Sequence, residues 1–407
     1  MALLVQKFGG TSVGSVERIR KVAQRAVSAP ARGNQVVVVV SAMSGETNRL
    51  IGLAREVMPI PDARELDVIA STGEQITSAL LALAIQAEGA KARSFLGHQV
   101  RILTDGAFTK ARIRSIDDER LREALAAGYI AVVAGFQGTD EAGNITTLGR
   151  GGSDTSAVAV AAALSADVCE IYTDVDGVYT TDPNVCPSAR KISKISYEEM
   201  LELASLGAKV LQIRSVEIAM RHKVAVHVRS SFSDAEGTWV VAEDKGLEEV
   251  SVAGVAYDRG DACVQILGID DKPGVAAELF GTIADHNVSV DMIVQSATPG
   301  ERSELTFTLA KTDLERAKPI IEETAQRLGS KTVVYDTEVT KVSIVGLGMR
   351  SHAGIAAKMF RLLAGERINI LAISTSEIKV SCLIPAKYTE LAVRVLHDGF
   401  GLDVAKG

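Results

Sequence analysis

The chain has 407 residues, of which 47% are hydrophobic and 23% charged, a composition typical of a globular protein with two or three domains. Its formal net charge of −7, from 44 basic and 51 acidic residues, argues against a nucleic-acid or anionic-membrane surface and favours small-molecule partners. We expect no membrane span. The N-terminus is strand-like and lacks the character of a signal peptide, which predicts a cytoplasmic location. The four cysteines and six histidines lack CxxC and HExxH spacing, which predicts reduced thiols and no structural metal.

The chain opens with LLVQKFGGTSVG, residues 3–14, followed by the helical pattern VERIRKVAQRAV. A strand that delivers Lys7 and two glycines to a helix N-terminus favours an anion-binding turn, because bare backbone lets N–H groups converge there. The spacing matches neither the P-loop nor the dinucleotide fingerprint. From these residues alone, an ordinary strand-to-helix turn with an exposed lysine remains an equal alternative.

Apolar runs at 36–40, 129–136, 168–173 and 224–231 alternate with helical patterns. Strands that are apolar on both faces predict an open, largely parallel sheet sandwiched by helices, and hence an α/β fold. Ligands of such sheets bind at the carboxyl ends of the strands. The glycine-rich motifs follow Phe8, Val40 and Thr173, which are three of these ends.

Two segments, SAMSGETNRL (41–50) and STGEQITSALL (71–81), place small and hydroxyl residues before helices. We expect Thr47 and Glu74 to point inward, where a glutamate at the mouth of a pocket suits a substrate ammonium. The alternative is that Glu74 only favours the dipole of its own helix.

The motif TLGRGGSDTSA (147–157) puts Arg150 between glycines, ahead of Ser153 and Asp154 at the start of an alanine-rich helix. An arginine can hold a carboxylate with two hydrogen bonds, and the glycines leave room for a small ligand. A merely capped helix is the alternative.

In YTDVDGVYTTDP (172–183), Asp174, Asp176 and Asp182 surround an Asp-Gly turn. Beside a candidate phosphate turn they suggest a nucleotide lip that accommodates Mg²⁺, although Asp-Gly is also a common hairpin signal. Further on, Lys209 starts a helix after Gly207. Taken alone, that lysine is predicted to be exposed.

A polar stretch at 232–260 marks a domain junction, and an internal repeat follows it. Residues 268–296 align without gaps on residues 348–376, an offset of 80. Each repeat predicts strand, helix, strand, strand and helix with a closing strand, which is a ferredoxin-like unit. The DKPG and SHAG turns resemble those of ACT domains, in which Gly274 and Gly354 would let an amino-acid carboxylate approach a helix N-terminus. A purely dimerising role for the repeat is the alternative.

Taken together and in this order, VQKFGGTSVG, VVVSAMSGETNRL, STGEQ, TLGRGGSDTSA, YTDVDGVYTTDP and SLGAKVL, followed by two ACT-like units, resemble the aspartate kinase family of the amino-acid kinase superfamily. The resemblance implies an amino-acid kinase domain at 1–245 and ACT domains at 262–335 and 340–407. It implies transfer of the ATP γ-phosphoryl to the side-chain carboxylate of L-aspartate, with ATP bound as its Mg²⁺ complex. It also implies a homodimer or a dimer of dimers joined through the ACT domains.

The resemblance also implies a role for each residue at a matching position. The catalytic set is Lys7, Asp154 and Lys209; aspartate would be held by Thr47, Glu74, Arg150, Gly151 and Ser153. ATP would be bound by Lys7, Phe8, Gly9, Gly10, Thr173, Asp174, Tyr179, Asp182 and Lys209. The feedback effectors lysine and threonine would contact Asp271, Ala276, Gln295 and Asn369.

Two other functions fit parts of the sequence. One is another amino-acid kinase, which would act on glutamate, N-acetylglutamate or a nucleoside monophosphate with the same sheet. The other is a non-catalytic amino-acid sensor that uses only the ACT repeat. A sensor predicts eroded phosphate loops, whereas the lysines and acids are present here.

Overall fold

The computed structural model describes residues 2–206, 210–243, 252–270, 272–296, 302–330, 332–347, 349 and 354–404. The chain forms two compact units. The first comprises Met1–Val178, Lys191–Ala204 and Lys209–Lys245, and the second comprises Tyr179–Arg190, Ser205–Ala208 and Gly246–Gly407. The short segment Tyr179–Arg190 therefore belongs to the second unit although its neighbours on both sides belong to the first.

The strands that lie wholly or partly in the first unit, in chain order, are β1 Leu3–Phe8, β2 Gln35–Val40, β3 Ala92–Phe95, β4 Ile102–Thr104, β5 Ile113–Ile116, β6 Ile130–Ala134, β7 Gln137–Thr139, β8 Ile145–Thr147, β9 Val168–Thr173, β10 Val178–Tyr179, β11 Lys191–Ile192, β12 Lys194–Ser196, β13 Val226–Ser230 and β14 Thr238–Val241. Its helices are α1 Val16–Ser28, α2 Glu46–Val57, α3 Ala63–Ala87, α4 Glu119–Ala126, α5 Gly152–Leu164, α6 Tyr197–Ser205 and α7 Ile213–His222.

An eight-stranded sheet in the order β12-β14-β13-β9-β1-β2-β6-β3 forms the centre of the first unit. The pairings of β1 with β2 and β9, of β2 with β6, and of β9 with β13 are all parallel, whereas β13 and β14 are antiparallel. The four runs that predicted strands coincide with β2, β6, β9 and β13. The predicted mainly parallel sheet is thus confirmed.

Helices cover both faces of this sheet. On one face α1 and α3 pack over β1, β2 and β6, and the side chain of Phe8 stacks on Tyr172 with ring centroids 4.7 Å apart. On the other face α5 contacts β1, β2 and β9. Because every residue from Val36 to Val40 is buried, β2 has to be apolar on both sides, as its five consecutive valines are.

Helix α3 is long and apolar enough to cross a membrane by length and composition, contrary to the expectation that no stretch would be. Half of its most apolar stretch is buried in the protein. Leu81 and Ile85 belong to the same core cluster as Ile19 and Val22 of α1. In this fold α3 is therefore a core helix of the first unit.

A small sheet in the order β5-β4-β7-β8 was not predicted. Its strands have only three or four residues each, too short to leave an apolar run in the sequence. It leads directly into the predicted carboxylate-binding motif, because β8 ends at Thr147.

The second unit contains β15 Gly254–Asp258, β16 Asp261–Ile269, α8 Val275–Asp285, β17 Val290–Ser296, β18 Ser303–Ala310, α9 Lys311–Arg327, β19 Thr332–Asp336, β20 Val339–Val345, α10 Ile355–Gly365, β21 Ala372–Thr375, β22 Lys379–Pro385 and α11 Thr389–Gly399. These elements form two four-stranded antiparallel sheets, ordered β17-β18-β16-β19 and β15-β20-β22-β21. Helices α8 and α9 pack on the first sheet, and α10 and α11 accompany the second.

The closing strands of the two sheets come from different places in the chain. In the first sheet β19 follows its own repeat, as expected. In the second sheet the equivalent place beside the first strand of the repeat is taken by β15, which precedes both repeats and pairs with β20 from Gly254↔Val345 to Asp258↔Lys341. The second ferredoxin-like sheet therefore includes a strand outside the predicted 340–407 range.

A buried lysine links the two sheets of the second unit. Lys341 of β20 is 5% exposed, and its ammonium lies 3.0 Å from Asp261 of β16 and also contacts Asp291 of β17. Burial alone would lower the pKa of Lys341, but the two carboxylates outweigh it and raise that pKa. The contact thus keeps a charged lysine between the two repeats.

Candidate active site

The carboxyl ends of four neighbouring parallel strands form one edge of the large sheet. Gly9 follows β1, Ser41 follows β2, Gly135 follows β6 and Asp174 follows β9. Backbone bonds tie these ends together, since the Gly9 N–H donates to Tyr172 O at 3.2 Å and the Ser41 N–H donates to Phe8 O at 3.1 Å. The edge thus brings together motifs that are up to about 165 residues apart in sequence.

The ion pair between Lys7 and Asp154 is the central feature of this edge. Lys7 Nζ lies 2.6 Å from Asp154 Oδ1, and the two side chains are 10% and 11% exposed. Lys7 lies on β1 and Asp154 in the first turn of α5. Removing either partner would leave a nearly buried charge uncompensated, which is costly. The pair therefore connects the first glycine turn to the TLGRGGSDTSA motif.

The glycine turn supplies less backbone to a ligand than its sequence suggests. The Gly9 N–H is already engaged by Tyr172 O, and the side chain of Phe8 is fully buried in the core. A Cβ added at Gly9 would lie 3.4 Å from Lys7 Nζ. Gly9 therefore gives the lysine ammonium space, and it does not donate its own N–H to an anion.

The helix that carries Asp154 begins in a confined loop. Gly151 has φ +69°, and a Cβ there would lie 2.4 Å from the side chain of Gln212. Both facts restrict position 151 to glycine. Ser153 and Asp154 follow it, buried, at the N-terminus of α5. Gly151 and Ser153, which are predicted to bind the substrate aspartate, thus lie beside the ion pair. Arg150 precedes them and its side chain is exposed.

The carboxyl group of Glu74 is buried with one oxygen left without a hydrogen bond among the described residues. Its Oε1 accepts from the Ala42 N–H at 3.0 Å, whereas Oε2 has no such partner. Burial raises the pKa of Glu74 to about 7, against the lowering effect of the Ala42 bond. A Cβ at the preceding Gly73 would lie 2.7 Å from Ala42 Cβ, so glycine there permits this approach. Glu74 is thus a buried acceptor that lacks a donor.

The remaining residues predicted to bind aspartate or ATP lie in several different elements of the chain. Thr47 is half-buried in the first turn of α2, and Thr173 at the end of β9 donates to Asp174 Oδ1 at 3.1 Å. Tyr179 and Asp182 belong to the second unit, where Asp182 accepts a hydrogen bond from the Tyr257 hydroxyl at 3.1 Å. Lys209 lies outside the described residues.

Three of the four predicted effector residues lie among the described residues. Ala276, Gln295 and Asn369 are exposed. Asp271 lies outside the described residues. Both repeats start their first helix as expected, because Gly274 and Gly354 are N-caps in the left-handed region.

A cavity of about 350 Å³ lies elsewhere in the first unit. Its lining includes Gln6, Arg25, Glu170 and Arg229. Gln6 immediately precedes Lys7 on β1, so the two side chains point to opposite faces of the sheet. This cavity is therefore separate from the ion pair and its neighbours.

Sequence reasoning missed two charged residues next to the site. Asp67 of α3 and Arg214 of α7 each form one hydrogen bond to the backbone at 147–148 and one to the backbone at 109–111, and Asp67 also accepts from the Thr147 hydroxyl. Both lie in helices as isolated charges, so no local pattern distinguished them.

Cys186, His397 and Asp398 of the second unit bring three potential metal-ligand atoms within 4.8 Å of one another. No motif in the sequence indicates this proximity. The four cysteines are free and buried, which agrees with reduced thiols.

Comparison with protein families gives the class of protein. Residues 2–230 match the amino acid kinase family, and residues 264–329 and 342–400 each match the ACT domain. The fold and the edge described above are therefore those of an amino acid kinase followed by two ACT domains.

Curated relatives narrow the class. The chain is 57% identical over 405 residues to the aspartokinase of Pseudomonas aeruginosa, covering 99% of this chain and 98% of that protein. It is 52% identical over 405 residues to the aspartokinase of Helicobacter pylori, covering 98% and 100%. The chain belongs to the aspartate kinases and is a kinase enzyme.

Solved structures agree. E. coli aspartokinase III in complex with aspartate and ADP, in the R-state, is similar with a TM-score of 0.83 at 28% identity, covering 98% of this chain and 99% of that one. Aspartate kinase from Synechocystis has a TM-score of 0.56 at 46% identity, covering 100% and 70%. The complex with ADP supports nucleotide use in this family.

Proposed function

We propose that the enzyme transfers the γ-phosphoryl group of ATP to the β-carboxylate of L-aspartate, giving 4-phospho-L-aspartate. The observation that carries this proposal is the nearly buried pair of Lys7 and Asp154, 2.6 Å apart at the edge where the glycine motifs meet. The identity to aspartokinases and the likeness to a complex with aspartate and ADP support the choice of substrates.

The chemistry needs charge compensation and no general base. The acceptor carboxylate is ionised at neutral pH, since its ordinary pKa is near 4. The protein must bring this anion against the polyanionic phosphates, which preorganised positive charge makes possible. Lys7 is the cation placed to stabilise the transferring group, and Asp154 orients the lysine ammonium. We assign Lys209 to the same catalytic set.

ATP enters as its Mg²⁺ complex, so the ion arrives with the substrate. Carboxylate oxygens are the ligands that Mg²⁺ prefers, and Asp154 presents a nearly buried carboxylate at this edge, with Oδ1 2.6 Å from Lys7 Nζ. Asp174, exposed at the end of β9, is a second carboxylate at this edge. These residues fit the ion, which would neutralise charge on the phosphates. We assign nucleotide contacts to Gly10, Thr173, Asp174, Tyr179 and Asp182 as well as to the two lysines. Phe8, whose side chain is buried, and Gly9, whose N–H is engaged by Tyr172 O, are proposed to shape the turn that the nucleotide meets.

Aspartate binding divides between its two ends. Glu74 offers a buried oxygen without a donor, which suits the substrate ammonium. Arg150 offers a planar fork for a carboxylate. Gly151 and Ser153 lie between Arg150 and Asp154 along the chain, and Thr47 at the start of α2 completes the proposed aspartate set.

The two ACT domains are proposed to bind feedback effectors, lysine and threonine. A solved structure of E. coli aspartokinase III in complex with lysine and aspartate, in the T-state, is similar to this chain with a TM-score of 0.77 at 27% identity. The proposed contacts are Asp271, Ala276, Gln295 and Asn369. We propose domain bounds of 1–245, 262–335 and 340–407, with β15 added to the last domain, and a homodimer or dimer of dimers joined through the ACT domains.

The proposed reaction is the first step toward lysine, threonine and methionine, in the cytoplasm. A coupled assay of ADP release with MgATP tests it, with aspartate compared against glutamate, N-acetylglutamate and a nucleoside monophosphate. We expect turnover with aspartate alone. Preference for another acceptor would replace aspartate as substrate, and ADP release with none of them would contradict the proposed reaction.

A further inference from the structure

Two loops of the first unit run side by side next to the proposed aspartate site. We call residues 109–111 the support loop and residues 147–151 the aspartate loop. The Ala111 N–H donates to Thr147 O at 2.9 Å, so the loops are directly bonded. The aspartate loop then continues through Arg150 into α5.

Asp67 of α3 collects hydrogen-bond donors from both loops. Its Oδ2 accepts from the Thr109 N–H at 2.9 Å and from the Thr147 N–H at 2.8 Å, and its Oδ1 accepts from the Thr147 hydroxyl at 2.5 Å. The residue is 1% exposed. Burial raises the pKa of Asp67 while these three bonds lower it. The carboxyl group thus accepts hydrogen bonds from the backbone of both loops and from the Thr147 side chain.

Arg214 of α7 collects hydrogen-bond acceptors from the same two loops. Its Nη1 donates to Leu148 O at 2.7 Å and its Nη2 donates to Ala111 O at 2.8 Å. Burial, and secondarily the charge of Arg112, lowers the pKa of this guanidinium. A carboxylate on one helix therefore holds N–H groups and a guanidinium on another holds C=O groups of one pair of loops.

Asp67 and Arg214, which we call the clamp, hold backbone that adopts an unfavourable conformation. Thr109 has φ +67°, a left-handed conformation that non-glycine residues seldom adopt. Its N–H is one of the groups that Asp67 holds. Thr147 and Leu148 lie three and two residues before Arg150, so their placement determines where the arginine side chain starts.

Helix α3 connects this clamp to the other end of the substrate. Asp67 and Glu74 are seven residues apart, so they lie on the same face of α3. Glu74 is proposed to contact the aspartate ammonium directly, whereas Asp67 holds the loop that carries Arg150. One helix thereby sets the distance between the groups proposed to bind the two ends of aspartate.

We propose that Asp67 and Arg214 are positioning residues that hold the aspartate loop in the geometry required to bind L-aspartate, without contacting the substrate. This inference rests on the proposed function, since it assigns aspartate to that loop. It predicts a selective effect on aspartate, because the nucleotide residues at the ends of β1 and β9 are bonded to neither side chain.

The test compares Asp67→Ala, Asp67→Asn and Arg214→Met with the wild-type enzyme. We expect Asp67→Ala and Arg214→Met each to raise the KM for aspartate tenfold or more, with kcat and the KM for ATP within twofold. Asp67→Asn keeps a carbonyl oxygen for the two N–H donors and should restore the KM to within about threefold. The double variant Asp67→Ala/Arg214→Met should raise the KM by less than the product of the single effects, because both residues act on one pair of loops.

Thr146→Val is the matched control. Thr146 precedes Thr147, is fully buried and shares a 2.6 Å hydroxyl contact with Thr104, so its loss perturbs the same strand without touching the clamp. We expect a lower melting temperature and an unchanged KM for aspartate. An equal rise of the KM in this control would show general destabilisation and overturn the inference.

Other outcomes are equally decisive. An unchanged KM for aspartate in folded Asp67→Ala and Arg214→Met, or an equal rise in both KM values, overturns the positioning role but leaves the proposed function standing. A wild-type enzyme inactive with aspartate overturns the proposed function and this inference together. Should Asp67→Ala and Arg214→Met not fold, Arg214→Lys, which keeps the charge but loses the second donor, must raise the KM for aspartate; an unchanged value overturns the role.

Discussion

The Ala42 N–H donates to Glu74 Oε1 at 3.0 Å and leaves Oε2 of the same carboxyl group buried without a partner among the described residues. A buried polar group that lacks a hydrogen bond destabilises the ligand-free protein. A substrate ammonium would supply the missing donor. The unpartnered Glu74 oxygen therefore both lowers the stability of the ligand-free enzyme and favours binding of the substrate ammonium.

Glu74→Gln is expected to separate these two effects. The amide can still accept from Ala42 but cannot attract an ammonium by charge, so we expect the KM for aspartate to rise tenfold or more. Michaelis constants for aspartate and ATP, measured in parallel, check this. An unchanged aspartate KM would remove Glu74 from the substrate site.

The same variant is expected to be more stable at alkaline pH. Because the folded-state pKa of Glu74 is raised to about 7, the folded protein holds this proton more tightly than the unfolded chain does. The free energy of unfolding therefore falls as pH rises from about 4.5 to 7, by up to about 3 kcal/mol. Urea unfolding at pH 5 and pH 8 should show a smaller fall in Glu74→Gln. An identical pH dependence in both proteins would contradict the assignment.

Arg150→Lys is expected to raise the KM for aspartate with little change in kcat. Lysine keeps the positive charge but cannot form two parallel hydrogen bonds with a carboxylate. Arg112→Lys, at another exposed arginine of the first unit, is the control and should behave as wild type. A normal aspartate KM in Arg150→Lys would count against its proposed role.

Lys341→Met is expected to destabilise the second unit by about 3–5 kcal/mol, because it leaves Asp261 buried without its cation. Asp291→Asn should cost less, since Asp291 is half exposed. Thermal unfolding of both variants measures the difference. Equal melting temperatures for the wild type and Lys341→Met would show that the ion pairs between the repeats contribute nothing net.

Lysine and threonine, singly or together at millimolar concentration, are expected to lower activity through the ACT domains. Gln295→Ala should shift the half-inhibiting concentration upward by tenfold or more, within the usual 1–3 kcal/mol of allosteric coupling. Ser296→Ala, at the next exposed position of β17, is the control. Full activity in the presence of both amino acids would contradict feedback control.

Local patterns predicted the large sheet because its strands carry their own signal. The valines of β2 need no knowledge of their neighbours to be recognised as a buried strand. The strands of the small sheet are too short for this, and β15 joins the second repeat by pairing with β20 across about 85 residues. Aligning the two repeats with each other could not reveal β15, because this strand lies before both repeats in the sequence.

The candidate site shows the same division. Lys7, Asp154 and Glu74 were predicted from motifs, and the structure brings Lys7 and Asp154 into contact. The support of the site was not predicted, because Asp67 and Arg214 resemble ordinary charged helix residues and their partners lie 42 to 103 residues away. Such long-range polar contacts follow from tertiary packing, which no single segment encodes.

The turnover number of Lys7→Met, with saturating MgATP and aspartate, tests the central claim most directly. Far-UV circular dichroism must first show a folded variant, and Lys7→Arg serves as the charge-retaining comparison. We predict that Lys7→Met lowers kcat by at least a hundredfold and that Lys7→Arg loses less. A folded Lys7→Met enzyme with wild-type kcat would contradict the proposal that this lysine stabilises the transferring phosphoryl group.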